Sequence, residues 1–241
     1  MPDHRFFIAK PLDSHQTYLL VDQEFHHLIH VMRVKAGEKI EIINGQGALA
    51  IGTVQKIEKH QAHIFIDNVH VECQSEKKLI LAQAFPKMAK LEYILEKATE
   101  LGCSQIWIFP ADRSDKREIS ESQKLRMQQI LISSMKQCGR LYLPEILFLP
   151  SLKEWKPLGM PTFFGDTLPT APSILRAWQQ ISTTNQITWI VGPESGFTPQ
   201  ETAILSQKVK AQGVSLHQNI LRVDTAAISG LSLLSCLLYA K

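Results

Sequence analysis

The chain has 241 residues, 44% of them hydrophobic, and a formal net charge of +3. That length holds one large domain or two smaller ones with an ordinary buried core. The small net charge excludes a bulk polycation while leaving room for a local basic patch. Cys73, Cys103, Cys138 and Cys236 are scattered without paired metal spacing and read as reduced thiols.

The N-terminus carries Asp3, Arg5 and Lys10 and no long apolar core, unlike a signal peptide. Residues 1 to 73 read as a β-rich domain. Arg5–Ala9, Thr17–Val21, Lys39–Ile43 and His63–Asp67 are short β-type runs, two of them partly alternating. Asn44-Gly45 with Gly47 predicts a hairpin joining two of these strands. A short helix is expected near 22–31. The pattern suits a small β-barrel, a type that often binds RNA, and equally a β-domain used only for packing or dimerisation. His26 and His30 are spaced for one helix face. No further ligand in a recognised spacing accompanies them, so no metal is expected.

Glu72–Lys78 is polar and reads as the linker. From residue 74 to 241 strands and helices alternate, the pattern of an α/β domain with a parallel sheet. Strands are expected at Leu79–Ala82, Ser104–Phe109, Glu145–Leu149, Thr162–Gly165 and Ile187–Val191. Leu91, Ile94, Leu95 and Ala98 mark a helix that Gly102 ends. Further helices are expected near 120–137 and 173–181. Gly192, Pro193 and Gly196 then make a tight loop after a buried strand. Thr198, Pro199 and Glu201 spell an N-cap, a first-turn proline and a capping box. Such a junction lies at the carboxyl edge of a sheet, where ligands bind. A second loop, Leu216–Asp224, precedes the apolar tail from Thr225. Ser229, Gly230, Ser232 and Ser235 interrupt that tail, so a buried helix is expected rather than a membrane span.

Gly-Pro-Glu-Ser-Gly-Phe-Thr at 192–198, followed by Asn-Ile-Leu-Arg-Val-Asp-Thr-Ala at 219–226, resembles the SPOUT methyltransferases, specifically the RsmE family. Lys87, Glu92 and Lys97–Gly102 match that family's first catalytic-domain helix. Arg113-Ser114, Gln137, Arg140 and Pro144 match its next block. His26-His27, Arg33, Gly37 and Asn44–Gly47 match its N-terminal domain. Ser195, His217 and Asp224 stand where the family usually has glycine, glycine and glutamate.

The resemblance implies a C-terminal SPOUT α/β domain with a trefoil knot, the last helix threading under the two motif loops, plus an N-terminal PUA/OB-like β-barrel domain. It implies S-adenosyl-L-methionine-dependent methylation of N3 of a specific uridine in 16S ribosomal RNA, in the small ribosomal subunit or a late precursor. The scattered cysteines and the lack of a secretory pattern fit a cytoplasmic protein, and the apolar tail together with the likeness suggests a homodimer. The cofactor would lie against Phe164, Gly165, Val191, Gly192, Gly196, Leu216, Asn219, Leu221 and Arg222. Uridine N3 must lose its proton before or as it takes the methyl group, and a nearby carboxylate could accept it. Glu194 and Asp224 are the candidates, Glu194 as base or base-orienter, with Arg222 supplying substrate electrostatics; the alternative for Glu194 is to stabilise its loop through backbone amides. For Asp224 the alternative is an N-cap of the last helix. Arg5, Arg33, Lys87, Arg113 and Arg140 are expected to grip RNA phosphates. The rival reading is a SPOUT-fold RNA-binding ribosome assembly factor with weak or lost catalysis.

Overall fold

A computed structural model describes residues 4–115 and 118–239; Asp3 and Lys241 lie outside them. The chain forms two compact units. One comprises the chain up to Gln74 with Ile132–Leu143, and the other Ser75–Leu131 with the chain from Pro144 onward.

The first unit is a five-stranded sheet in the order β1-β3-β4-β5-β2. Its strands are β1 (Arg5–Phe7), β2 (Thr17–Val21), β3 (Lys39–Ile43), β4 (Ala48–Ile57) and β5 (Gln61–Val71). β1 runs parallel to β3, and the other pairs are antiparallel. Alternate residues of β4 and β5 are buried, so one face of the sheet builds the core. Phe6, Leu20, Leu28, Ile42, Ile64 and Ile66 fill that core. The helix α1 (Asp22–His26) runs on into a π-helical turn, His27–Val31.

The Asn44–Gly47 turn joins β3 to β4, a strand that the sequence pattern does not reveal. The turn works as its residues require. The Asn44 carboxamide oxygen accepts from the Gln46 and Ala48 amides at 2.9 and 3.1 Å. Gly45 and Gly47 take φ of 73° and 95°, where L side chains are strained. β4 stays hidden in the sequence because its small residues weaken the alternation. One of them, Gly52, is required, since a Cβ there would lie 2.7 Å from Ile64 Cγ2.

The second unit holds a six-stranded sheet in the order β11-β9-β10-β6-β7-β8. The strands are β6 (Lys78–Ala84), β7 (Gln105–Phe109), β8 (Glu145–Phe148), β9 (Thr162–Gly165), β10 (Gln186–Val191) and β11 (Gln212–Val214). All pairs are parallel. The helices are α2 (Met88–Glu100), α3 (Glu121–Cys138, whose end from Ile132 belongs to the first unit), α4 (Ile174–Trp178), α5 (Pro199–Ala203) and α6 (Val223–Tyr239). β6 is covered on both faces, so it reads as a near-continuous buried run. The chain builds outward from β6 to β7 and β8, then returns to β6's other side through β9 and β10. That reversal is a switch point, and ligands bind outside the carboxyl ends of strands there.

α6 packs against β10, β6 and α2. Val223, Ala227, Gly230, Leu231, Leu234 and Leu238 form its buried stripe, as the apolar tail predicts. It lies close against the fully buried Trp189 of β10. The Trp189 indole donates to the Ala226 carbonyl at 3.2 Å, and a Cβ on Gly230 would lie 2.3 Å from the ring. No helix among the described residues is long and apolar enough to cross a membrane.

Candidate active site

Because the strands are parallel, the ends of β9, β10 and β11 open on the same side of the sheet. Three loops leave there and enclose a cavity of ≈ 730 Å³. The first continues from Phe164 and Gly165 to Ala171. Its Asp166 amide donates to the Val214 carbonyl at 2.9 Å, tying β9's end to β11's. The second is Gly192–Phe197. Its turn closes with the Gly196 amide donating to the Pro193 carbonyl at 2.9 Å, and Gly196 sits at φ 68°. A side chain on Gly192 would meet the Phe197 ring at 3.3 Å. Behind this loop the expected capping box is in place. The Glu201 amide donates to Thr198 Oγ1 at 3.2 Å, and the Thr198 amide to Glu201 Oε2 at 2.8 Å. The third loop runs from Ser215 to Leu221, bent by the Asn219 amide donating to His217 Nδ1 at 3.1 Å.

Of the nine positions expected to hold a cofactor, eight line this cavity: Phe164, Gly165, Val191, Gly192, Gly196, Leu216, Asn219 and Leu221. Arg222 is the exception. It is exposed and is the last residue before α6, and it does not line the cavity. Asp166, His217 and Ile220, from the loops expected to hold the cofactor, also line it, and the walls further use Thr167, Leu168 and Phe197, which no sequence signal marks for this role.

Glu194 lines the cavity, and its Oε1 accepts the Lys87 amide at 3.0 Å. The carboxylate therefore sits at the N-terminus of α2, where the helix dipole favours a negative charge. Asp224 is not the N-cap of the last helix. α6 already begins at Val223, and the Arg222 carbonyl accepts the Ala226 amide at 2.8 Å. Asp224 lies in the first turn, with Oδ1 buried and without a hydrogen bond. Between the two carboxylates stands Lys90, which sequence reasoning misses. Its Nζ lies 3.9 Å from Glu194 Oε1 and 3.8 Å from Asp224 Oδ1. One signal could find it: α2 has a lysine and no acidic residue in its first turn, against the preference of the helix dipole.

The family described as RNA methyltransferase domain matches residues 73–235, and that described as RNA methyltransferase PUA domain matches residues 20–67. The chain belongs to the RNA methyltransferase family. Its relatives include the ribosomal RNA small subunit methyltransferase E of Helicobacter pylori, 28% identical over 84% of this chain and 88% of the relative. The protein of that name from Rickettsia conorii is 26% identical over 96% of this chain and 95% of the relative. Among solved structures, a ribosomal RNA small subunit methyltransferase E from Neisseria gonorrhoeae bound to S-adenosyl methionine superposes with a TM-score of 0.84. It is 27% identical and covers 98% of each chain. A protein from Legionella pneumophila solved with bound SAM gives 0.87 at 25% identity, again over 98% of each chain.

In an RNA methyltransferase the cations matter for gripping the substrate, and the expected set divides. Arg5 is a correction. Its side chain is 9% exposed and its guanidinium holds Glu41 at 2.8 Å, so its charge is neutralised inside the sheet. Arg113 donates from Nη1 to the Ser195 carbonyl at 3.0 Å and lines the cavity, so it braces the second loop. Arg33 and Lys87 are exposed, and Arg140 is half-buried. Ser195, in place of the usual glycine, has an ordinary negative φ, so its side chain costs no backbone strain; only Gly196 needs the left-handed region.

Proposed function

We propose that this RNA methyltransferase transfers a methyl group from S-adenosyl-L-methionine to N3 of one uridine in 16S ribosomal RNA. The observation that carries the cofactor assignment is the convergence of eight sequence-selected positions on one cavity. Its volume lies in the ~300–1,000 Å³ range of small-molecule sites. Phe164, Val191, Leu216 and Leu221 give it apolar walls. The glycines let main-chain groups come close enough to read a purine edge. When bound there, the cofactor supplies the electrophilic methyl group. The chain's own part is to orient the base and take the N3 proton. Glu194 is the proposed base, because it lines the cavity and its Oε1 is already fixed on the Lys87 amide. Arg222, outside the cavity, is proposed to meet substrate oxygens or a phosphate rather than the cofactor.

In this reading residues 1–73 form the RNA-binding domain and residues 74–241 the SPOUT methyltransferase domain. Arg33 and Arg140 in the first compact unit and Lys87 in the second are proposed phosphate contacts. A trefoil knot is proposed for the chain end, supported by the packing of α6 on β10 and β6 next to the two motif loops. The protein would act as a cytoplasmic homodimer on the small ribosomal subunit or a late precursor. Isothermal calorimetry of the full chain should show S-adenosyl-L-methionine binding that survives a chelator, and Gly196→Val should abolish it. Heat-free titration of a folded wild-type chain would contradict the cofactor assignment.

A further inference from the structure

Lys90 is a residue out of place by local rules. A cation in the first turn of a helix opposes the dipole. No acidic residue of that turn relieves it, and the Lys87 cap position makes no side-chain hydrogen bond. Local rules are broken mostly where function repays the break. The reason lies in two segments far away in sequence. Glu194 comes from the loop after β10, and Asp224 from the first turn of α6. Each places one carboxylate oxygen within 4 Å of Lys90 Nζ, at 3.9 and 3.8 Å. The Lys90 side chain is 29% exposed, and the carboxylates are 27% and 28% exposed, so all three are shielded without being sealed off.

The geometry separates two jobs. Oε1 of Glu194 is held from the α2 side by the Lys87 amide and by the charge of Lys90. Oε2 makes no hydrogen bond among the described residues, which leaves it for the N3 proton. Asp224 Oδ1 is buried and has no hydrogen bond. Without Lys90 it would be an uncompensated negative charge beside the proposed base. It would repel the uridine anion that forms when N3 gives up its proton.

We infer that Lys90 is a positioning residue for methyl transfer: it fixes Glu194 with Oε2 free for the substrate and neutralises Asp224 next to the reacting base. The inference rests on the reading of the site as a uridine-N3 methyltransferase. In that step the N3–H bond breaks and its proton goes to Glu194. The N3 electron pair then forms the bond to the methyl carbon, and the carbon–sulfur pair leaves on sulfur. Lys90 takes no part in the proton transfer. Its charge offsets that of Asp224, so that once Glu194 has taken the proton no net negative charge faces the uridine anion.

The test compares Lys90→Met, Lys90→Arg, Asp224→Asn and the Lys90→Met/Asp224→Asn double variant with the wild type. Each is the full chain, assayed by single-turnover methylation of small subunits from cells lacking the protein. Lys90→Met should lower the rate ~10²-fold, the scale of misplaced catalytic groups, with unchanged cofactor affinity. Lys90→Arg should recover most of the rate. Removing the Asp224 charge should relieve part of the Lys90→Met defect, because the repulsion is then gone; a merely structural lysine gives no such relief. A wild-type rate in Lys90→Met, or defects that multiply in the double variant, overturns the inference. A wild type that transfers no methyl overturns the functional reading beneath it, and the two failures are told apart by that control.

Discussion

Glu194 is where the chemistry of the site is most exposed to test at the level of one residue. Its backbone lies in a turn closed by Gly196, and its carboxylate is anchored on the start of α2. Glu194→Gln preserves size and can still accept the Lys87 amide, so fold and cofactor affinity should hold. The methylation rate should fall by ~10²-fold or more, the scale of a lost general base. Raising the pH should restore part of the rate, because the uridine then ionises unaided. Single-turnover rates across pH decide this, and a wild-type rate in the variant would place the base elsewhere. Glu194 is legible in the sequence because it sits inside a glycine loop after a buried strand. Lys90 is not, because a lysine in Lys-Met-Ala-Lys says nothing of two loops that fold back over it from later in the chain. Arg5 misleads for a related reason: a sequence does not reveal that Glu41, one strand over, will neutralise it.

The elements themselves are most legible where local signals agree. The capping box at Thr198–Glu201 and the parallel strands with their buried runs form as expected. The weak points are β4, whose small residues blur the alternation, and the start of α6, which falls ahead of Asp224. Why α6 needs small residues becomes visible only in packing. Gly230 lies against the Trp189 indole, and the same ring donates to the Ala226 carbonyl. Replacing a helical glycine by alanine ordinarily stabilises by ~1 kcal/mol. Here the added Cβ meets a rigid, buried ring, and overpacking of that kind costs ~1–3 kcal/mol. Gly230→Ala should therefore lower the urea midpoint despite its better helix propensity. A raised midpoint would mean that α6 is not pressed onto β10 at this point.

At the scale of the whole molecule, the two-part organisation is readable from the shift between β-rich and alternating patterns. The compact units differ from that division in one respect. Ile132–Leu143, the end of α3 with the loop after it, packs with the N-terminal sheet. Lys136 holds Glu24 at 2.6 Å, and the Tyr142 hydroxyl donates to the Glu72 carbonyl at 2.7 Å. Periodicity reports which face of a helix is apolar, not which unit it serves, so this exchange is invisible in the sequence. The cavity, by contrast, belongs wholly to the second unit and is largely legible, since its glycines and flanking strands carry their own local signatures.

The most direct measurement is methyl transfer itself. Small ribosomal subunits from cells lacking this protein are incubated with the purified full chain and methyl-labelled S-adenosyl-L-methionine. The 16S RNA is then digested and the label located by mass spectrometry. The account predicts one labelled nucleoside, a uridine methylated at N3, and none in the absence of the protein. Label on another base or on a ribose, or no label from a folded protein that binds the cofactor, would contradict it.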